Sequence, residues 1–320
     1  PLAALKAIEE HWGLPISEAQ RIEARHFGEL APSRICKNHI QLFFTGEALK
    51  KDRGVEVNTE IKTISRAAVL GAGVMGGGIG WMFSNSDIPI RMKDISWDAV
   101  AKGYQAASAV YNQLVKSRRL KPGEANLKMH HISSCVDYRG FQHVDMVVEA
   151  IVENIEIKQK VFAELEGHIP ETTLICSNTS ALSINEMSTA LKHPERFIGM
   201  HFFNPVNRMP LVEVIPGEHT SPQTVASTVA LVKRMKKTPI VVRDVAGFLV
   251  NRILLPYLVE AAWVLQDGYP IDKLDPQIRG FGLPMGPLTL ADEVGIDVGY
   301  KVAKLLEKAY GERMRVPTLL

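Results

Sequence analysis

Three glycines in the order Gly71-Ala72-Gly73-Val74-Met75-Gly76 follow directly on the apolar, strand-like run Ala67-Ala68-Val69-Leu70. A strand that leaves through such a turn into a helix fits few architectures. Gly71 allows the tight exit, Gly73 lets a pyrophosphate approach the backbone, and Gly76 lets the helix lie close to the sheet. The anion would rest on the positive helix N-terminus, at Val74 and Met75. Glycine-rich turns also occur wherever a backbone merely bends, so the context decides. Apolar residues at Met75, Ile79, Met82 and Phe83 mark a helix, and the alternation Ile88, Ile90, Met92 marks a second strand ending at Lys93-Asp94. Asp94 stands eighteen residues beyond Gly76. A carboxylate there accepts hydrogen bonds from both hydroxyls of an adenosine ribose and repels a 2′-phosphate, which selects NAD over NADP. The alternative is that Asp94 caps a helix starting near Ser96. Strand, turn, helix, strand and acid occurring in order favour the ribose role.

From Ile64 to about Asp244 short apolar runs alternate with helical stretches. After the first two strands, runs near 128–133, 144–149, 173–176, 197–200, 211–215 and 239–242 give eight in all. That alternation is the pattern of a doubly wound, Rossmann-like α/β domain, here 63–244. Asn154 is expected to cap a helix over 155–165, and Ser183 with Glu186 to form a capping box. Residues 1–62 carry helical spacings at Leu2, Leu5, Ile8, Ile22 and Phe27 but no strand. With a helix over 35–49 and the polar stretch 50–60, they read as a helical linker segment. After Gly247 helices take over, at 248–266, 272–279, 288–294 and 298–310, so that 245–320 reads as an all-helical domain of substrate or dimerisation type. Pro256 is expected to bend the first of these helices.

Composition removes several function classes. A net charge of +2 and short basic clusters, Lys116 to Arg119 and Arg234 to Lys237, without interleaved aromatics, argue against nucleic acid as a partner. Cys36, Cys135 and Cys176 are far apart and odd in number, so neither a disulfide framework nor a zinc site is expected. His130 and His131 have no ligand types at metal spacing, and no metal is expected. The most apolar stretch, 248–265, is interrupted by Asn251, Arg252, Pro256 and Glu260, which argues against a transmembrane segment. No targeting signal is recognised, and a cytoplasmic location is expected if the source is bacterial. The chain opens on Pro1 rather than methionine, which points to an excised piece.

In an open parallel sheet, ligands bind at the carboxyl ends of the strands. Three of the expected strands end in polar residues: Glu149 to Glu153, Ser177 to Ser180, and His201 to Pro205. Glu213 shares a strand face with Leu211 and Ile215, and a carboxylate among apolar neighbours needs a partner. If the strands of His201 and Glu213 are neighbours, the pair is an imidazole oriented by a carboxylate, able to remove a proton from an alcohol while a hydride leaves the same carbon. The alternative keeps His201 as a core histidine and Glu213 as an edge-strand charge facing water.

With these motifs assembled, the sequence resembles the L-3-hydroxyacyl-CoA dehydrogenase family. Within it the chain is most similar to the dehydrogenase portion of the multifunctional alpha chain of the bacterial fatty-acid oxidation complex. The stretches that carry the resemblance are Val69 to Gly78, Val147 to Ala150, Ser177 to Ser180, Gly199 to Val206, Arg208 to Ile215, Gly247 to Arg252 and Pro284 to Pro287. It implies that His201 is the catalytic base, that Glu213 orients it, and that Ser180 and Asn251 bond around the substrate hydroxyl and thioester. Ala150, Glu153, Lys158 and Asn178 match positions lining the cofactor site, beside Gly71, Gly73, Val74, Met75, Gly76 and Asp94. Read without the family, Ser180 is a turn serine and Asn251 a helix cap. The family's closing segment does not follow Leu320, so the helical domain reads as truncated, and no hydratase-like sequence precedes the first helices.

The expected activity is NAD-dependent oxidation of an L-3-hydroxyacyl-CoA to a 3-ketoacyl-CoA in fatty-acid β-oxidation. A thiolase subunit and an upstream enoyl-CoA hydratase domain in the parent chain are the implied partners. The competing reading is a catalytically silent NAD-binding structural homologue. A 2-hydroxyacid or sugar-nucleotide dehydrogenase would place lysine or cysteine where His201 stands. The Asp94 reading carries a direct expectation. NAD should exceed NADP in kcat/KM by about tenfold or more, the scale of one charge-assisted interaction, and Asp94→Ala should shrink that ratio. Equal use of both cofactors by the unaltered chain would overturn the assignment.

Overall fold

The computed structural model describes residues 1–56 and 58–319; Val57, within the expected linker, and Leu320, the end of the expected helical domain, lie outside the described residues. The chain falls into two units, Pro1–Asp52 and Arg53–Leu320. The first contains helices α1 (Leu2–His11), α2 (Ile16–Leu30) and α3 (Arg34–Lys51). Glu10 on α1 pairs with Arg25 on α2, and the Ser33 hydroxyl caps α3 by accepting from the Cys36 amide at 3.2 Å. Three helices alone enclose little volume: Ala7 is buried, whereas Trp12, Phe27, Phe43 and Phe44 are exposed.

The second unit begins with β1 (Ala67–Leu70), α4 (Val74–Asn85), β2 (Ile90–Lys93), α5 (Trp97–Lys116), α6 (Pro122–Met129) and β3 (Ile132–Cys135). It continues through β4 (Met146–Glu149), α7 (Ile155–Glu166), β5 (Leu174–Ser177), α8 (Ile184–Ser188), β6 (Phe197–Phe202), β7 (Leu211–Pro216), α9 (Pro222–Arg234) and β8 (Thr238–Val241). The strands form one sheet in the order β3-β2-β1-β4-β5-β6-β7-β8. All neighbours are parallel except β6 and β7, which are joined by a short loop and therefore run antiparallel. From β1 the chain winds one way to β2 and β3 and then the other way to β4, so the glycine turn stands at the topological switch point.

One strand lies later than expected. Lys128 and Met129 belong to α6, and β3 begins at Ile132. Pro122 opens α6, where its missing N–H costs nothing and Glu124 accepts from the Lys121 amide at 3.0 Å.

The sheet is buried on both faces, which explains strands that are nearly continuous apolar runs. Val69, Met92, Val148 and Met200 pack with Ile79, Phe83 and Val229 of the helices on one side. Leu70, Val147, Ile175 and Phe197 pack with Phe162, Ile184 and Met187 on the other. The three cysteines are free, and burial pushes the Cys135 and Cys176 thiols up, away from reactivity.

After β8 come α10 (Val250–Gln266), α11 (Ile271–Phe281), α12 (Pro287–Val294) and α13 (Ile296–Tyr310). They close over a smaller core of Leu255, Val259, Ala303, Leu306 and Val316. Gly286 has no side chain with which to cap α12, and Asp275 of α11 does so instead, accepting from the Leu288 and Thr289 amides at 2.9 Å each. Pro256 sits inside α10. Among the described residues no helix is long and apolar enough to cross a membrane. No group of three or more His, Cys, Asp or Glu among them is placed to hold a metal ion.

A buried ion pair ties α7 to the segment entering β6. Arg196 donates to Glu166 at 2.9 Å and to the Pro170 carbonyl at 2.6 Å, while Glu166 also accepts from the Lys192 and His193 amides. Burial alone would raise the Glu166 pKa; the two amides and the Arg196 guanidinium outweigh it and hold the carboxyl below its usual value of 4.5. A depressed folded pKa means stability that is present above the unfolded value and lost as pH falls through the folded one. Glu166→Gln should therefore cost about 3 kcal/mol at pH 7, the scale for breaking a buried pair. In denaturant titrations that deficit should narrow once the pH drops below about 4.5. A deficit independent of pH would show that the carboxylate charge contributes nothing.

Candidate active site

What surrounds each glycine sets the shape of the glycine turn. Gly71 takes φ 92°, and a side chain there would meet the Ala150 carbonyl, so the end of β4 packs directly against the turn. A Cβ on Gly76 would lie 1.8 Å from the Gly71 carbonyl oxygen, which leaves room for hydrogen only. Gly73, the N-cap of α4, has nothing within 4 Å of its would-be Cβ. That open space faces the first amides of α4, of Val74, Met75 and Gly76, which have no partner within a helix. The cradle therefore fits a pyrophosphate. Asp94 closes it on one side: its Oδ2 accepts from the Ala72 amide at 2.6 Å and its Oδ1 from the Ile95 amide at 2.7 Å. The cap of α5 is Ser96, which accepts from the Ala99 amide at 3.2 Å, so Asp94 is left to the turn.

At the ends of β4 and β5 the polar residues form a connected network. Glu149 is fully buried and accepts from the Ile151 amide at 2.8 Å, Lys158 at 2.5 Å and the Ser177 hydroxyl at 2.6 Å. Lys158, 1% exposed, also stands 3.2 Å from Glu153. Glu153 in turn accepts from the Thr179 hydroxyl at 2.6 Å and the Ser180 amide at 2.9 Å. Lys158 thus faces inward between two carboxylates, and Glu153 is the exposed end of the network. Asn178 also points into the protein, its Oδ1 accepting from the Phe202 amide at 2.9 Å. Sequence reasoning assigned no role to Glu149. Its signal was a carboxylate closing the wholly apolar strand Met146 to Val148.

His201 and Glu213 face each other across the antiparallel pair β6 and β7. His201 Nδ1 lies 2.8 Å from Glu213 Oε2, with the histidine 4% and the glutamate 0% exposed. β8 covers β7 on its far side, which removes the reading of Glu213 as an edge charge in water. The other oxygen, Oε1, accepts from the Leu249 and Val250 amides at 3.0 and 2.9 Å. Leu249, the N-cap of α10, has no side chain able to cap, so Glu213 satisfies that helix start from another strand. Three donors converge on Glu213, which suits an ionised, acceptor-only carboxylate. Nδ1 of His201 then carries its proton toward Glu213, and Nε2 is left with the lone pair.

The approach to α10 is strained. Phe248 takes φ 49°, an uncommon value for an aromatic residue, and its buried ring stands 6.0 Å from the His201 ring. Phe203 packs on the imidazole at 4.5 Å. Asn251, in the first turn of α10, donates to the Ser180 carbonyl at 2.9 Å and does not cap the helix. Ser180, Asn251, His201 and Glu213 are therefore joined through α10 at one place, while the glycine turn and Asp94 form a separate part of the same strand-end face. The Ser183 hydroxyl accepts from the Glu186 amide at 3.2 Å, and Asp244 supplies the further acceptor at that helix start, for the Ile184 and Asn185 amides.

Comparison with known proteins matches residues 66–245 to the family described as 3-hydroxyacyl-CoA dehydrogenase, NAD binding domain. Residues 247–320 match the family described as 3-hydroxyacyl-CoA dehydrogenase, C-terminal domain. The chain is 39% identical over 317 residues to the fatty acid oxidation complex subunit alpha of Vibrio parahaemolyticus, covering 99% of this chain but 45% of that relative's length. Among solved structures it is similar to the (S)-3-hydroxybutyryl-CoA dehydrogenase of Ralstonia eutropha, at 36% identity and a TM-score of 0.77, covering 80% of this chain and 92% of that one. The 3-hydroxybutyryl-CoA dehydrogenase of Escherichia coli aligns at 31% identity and a TM-score of 0.76, covering 80% of this chain and 55% of that one.

The glycine geometry separates binding from folding. Gly73→Val should leave the thermal midpoint within about 2–4 °C of the parent, as expected where a side chain enters open space, yet weaken NADH binding by fluorescence titration. Gly76→Ala should lower stability by about 1–3 kcal/mol, because the backbone must move to admit the methyl. Normal NADH affinity in Gly73→Val would place the cofactor elsewhere.

Proposed function

Because the chain belongs to the 3-hydroxyacyl-CoA dehydrogenase family, we propose that it oxidises the 3-hydroxyl of an L-3-hydroxyacyl-CoA to the 3-ketoacyl-CoA, with His201 as catalytic base. The observation that carries this reading is the buried His201–Glu213 pair at 2.8 Å, whose carboxylate is itself fixed by two amides. Such a histidine is held in one tautomer and one orientation, which is what general-base removal of a hydroxyl proton requires. NAD, when bound, supplies the acceptor for the hydride that leaves C3. The proton passes from the hydroxyl oxygen to His201 Nε2, and Glu213 stabilises the imidazolium that results.

Ser180 and Asn251 complete the proposal as groups that position the substrate's hydroxyl and thioester. Gly71 to Gly76 hold the pyrophosphate, Asp94 the adenosine ribose, and Ala150, Glu153, Lys158 and Asn178 shape the wall beside it. Divided this way, 63–244 is the cofactor domain, 245–320 the helical part that closes the acyl-CoA side, and 1–62 a helical linker. Since the chain spans 45% of the length of the Vibrio relative, the longer setting is likewise proposed. In it an enoyl-CoA hydratase domain precedes this segment in the parent chain, a thiolase subunit takes up the 3-ketoacyl-CoA, and, if the source is bacterial, the assembly works in the cytoplasm.

Acetoacetyl-CoA added to the chain with NADH should lower absorbance at the NADH band. His201→Gln should reduce kcat by about 10²- to 10⁴-fold, the usual worth of a positioned general base, with NADH affinity nearly intact. Glu213→Gln should do smaller damage of the same kind. NADH binding without turnover in the unaltered chain would favour the catalytically silent homologue instead. Turnover of His201→Gln within a few-fold of the parent would remove His201 from its role.

A further inference from the structure

The end of β2 carries Arg91, Lys93 and Asp94 within four residues, two cations beside the carboxylate assigned to the ribose. Alternation along the strand buries Ile90 and Met92 in the core that holds Ile79 and Phe83 of α4, and so turns Arg91 and Lys93 to the opposite face. There the Lys93 ammonium lies 4.5 Å over the centre of the Tyr138 ring. The Tyr138 ring is also stacked on His168 at 4.4 Å and 9°, and meets Phe141 edge-on at 5.3 Å. Tyr138 is thus held by Lys93, His168 and Phe141 together. Burial, with the Glu164 charge adding to it, pushes the Tyr138 phenol up to about 12, so the ring binds the cation through its π face and not as a phenolate. Arg91 lies on the same side: its Nη1 reaches the Ser133 hydroxyl at 3.4 Å, while its Nε, close over Gly140, is buried without a hydrogen-bond partner. Asp94 points the other way, onto the Ala72 amide of the glycine turn.

We propose that Tyr138 is a cofactor-specificity residue. By holding Lys93 on the far face of the sheet, it denies the 2′-phosphate of NADP the cation that phosphate would need. Selection of NAD then rests on two devices, repulsion by Asp94 and withdrawal of Lys93. Lys93 is the last residue of β2, so its flexible stem has only the strand end to round before its ammonium comes beside Asp94. Tyr138 touches no cofactor atom in this scheme; it is a positioning residue that acts through Lys93. The inference rests on the reading of the glycine turn and Asp94 as the dinucleotide site.

Calorimetric titration of NAD and NADP into a series of variants tests it. Asp94→Asn alone should gain a few-fold in NADP affinity by losing repulsion. Adding Tyr138→Leu should raise NADP affinity by about another tenfold, the scale of a new charge-assisted bond to phosphate. Adding Lys93→Gln to that double variant should remove the second gain. With Tyr138 intact, Lys93→Gln in the Asp94→Asn background should leave NADP affinity unchanged, because the lysine is already withdrawn. No second gain in a Tyr138→Leu variant that keeps its thermal midpoint, or a gain that survives Lys93→Gln, would overturn the proposal. So would a loss on Lys93→Gln while Tyr138 is present, an arm that does not depend on how Tyr138→Leu folds. NAD affinity in the unaltered chain separates the two levels: if NAD binds and the series shows no Lys93-dependent gain, this inference alone fails. If NAD does not bind, the site assignment fails and this inference with it.

Discussion

The carboxylate of Glu213 is the constraint on which the site depends. It lies fully buried on an interior strand, where an unpaired charge would cost several kcal/mol. Three donors remove that cost: the His201 ring and the amides of Leu249 and Val250. The donors and their acceptor answer three separate requirements. The imidazole needs an acceptor to fix its tautomer, the start of α10 needs acceptors for its first amides, and the carboxylate needs both to stay ionised. Because one group meets all three needs, the base of the sheet and the entry to the helical part are set by the same side chain. The strained backbone at Phe248 fits that economy, since the turn must bring two successive amides onto a single oxygen.

Much of the fold was legible in the sequence because the strands are short apolar runs separated by helical periods. All eight appear, seven of them near their expected places and one displaced by an overlooked helix. That helix, α6, was hidden by Pro122-Gly123, a dipeptide that marks turns as readily as helix starts. The glycine turn, Asp94 and the facing of His201 with Glu213 were legible because local spacing or strand adjacency determines them. The ties that give these residues their geometry were not. The amides on Glu213 lie 36 and 37 residues away, and the Ala72 amide on Asp94 lies 22 away. Backbone donors have no residue signature, so only the tertiary structure shows where they point. Glu149 was legible as a polar strand end but not as a buried one, because Lys158, a helix residue, is placed against it only by the fold.

One chain of contacts joins the polar network at the ends of β4 and β5 to His201. Glu149 holds Lys158, Lys158 stands against Glu153, Glu153 fixes the Ser180 amide, and the Ser180 carbonyl binds Asn251 at the start of α10. The same helix start carries the amides that fix Glu213 and, through it, His201. Every step but the 3.2 Å Lys158–Glu153 pair is a hydrogen bond of 3.0 Å or less, and most involve a group that is ionised, the class that combines strength with defined direction. A dehydrogenase must place a hydroxyl oxygen against its base and the neighbouring carbon against its cofactor at the same time, and an error of about 1 Å in either costs rate steeply. Under the proposed function, a network that runs from the end of β4 to His201 supplies that placement in the protein alone. The bonds in it are directed, so each ion pair and capped amide sets the position of the next group as well as satisfying its own charge.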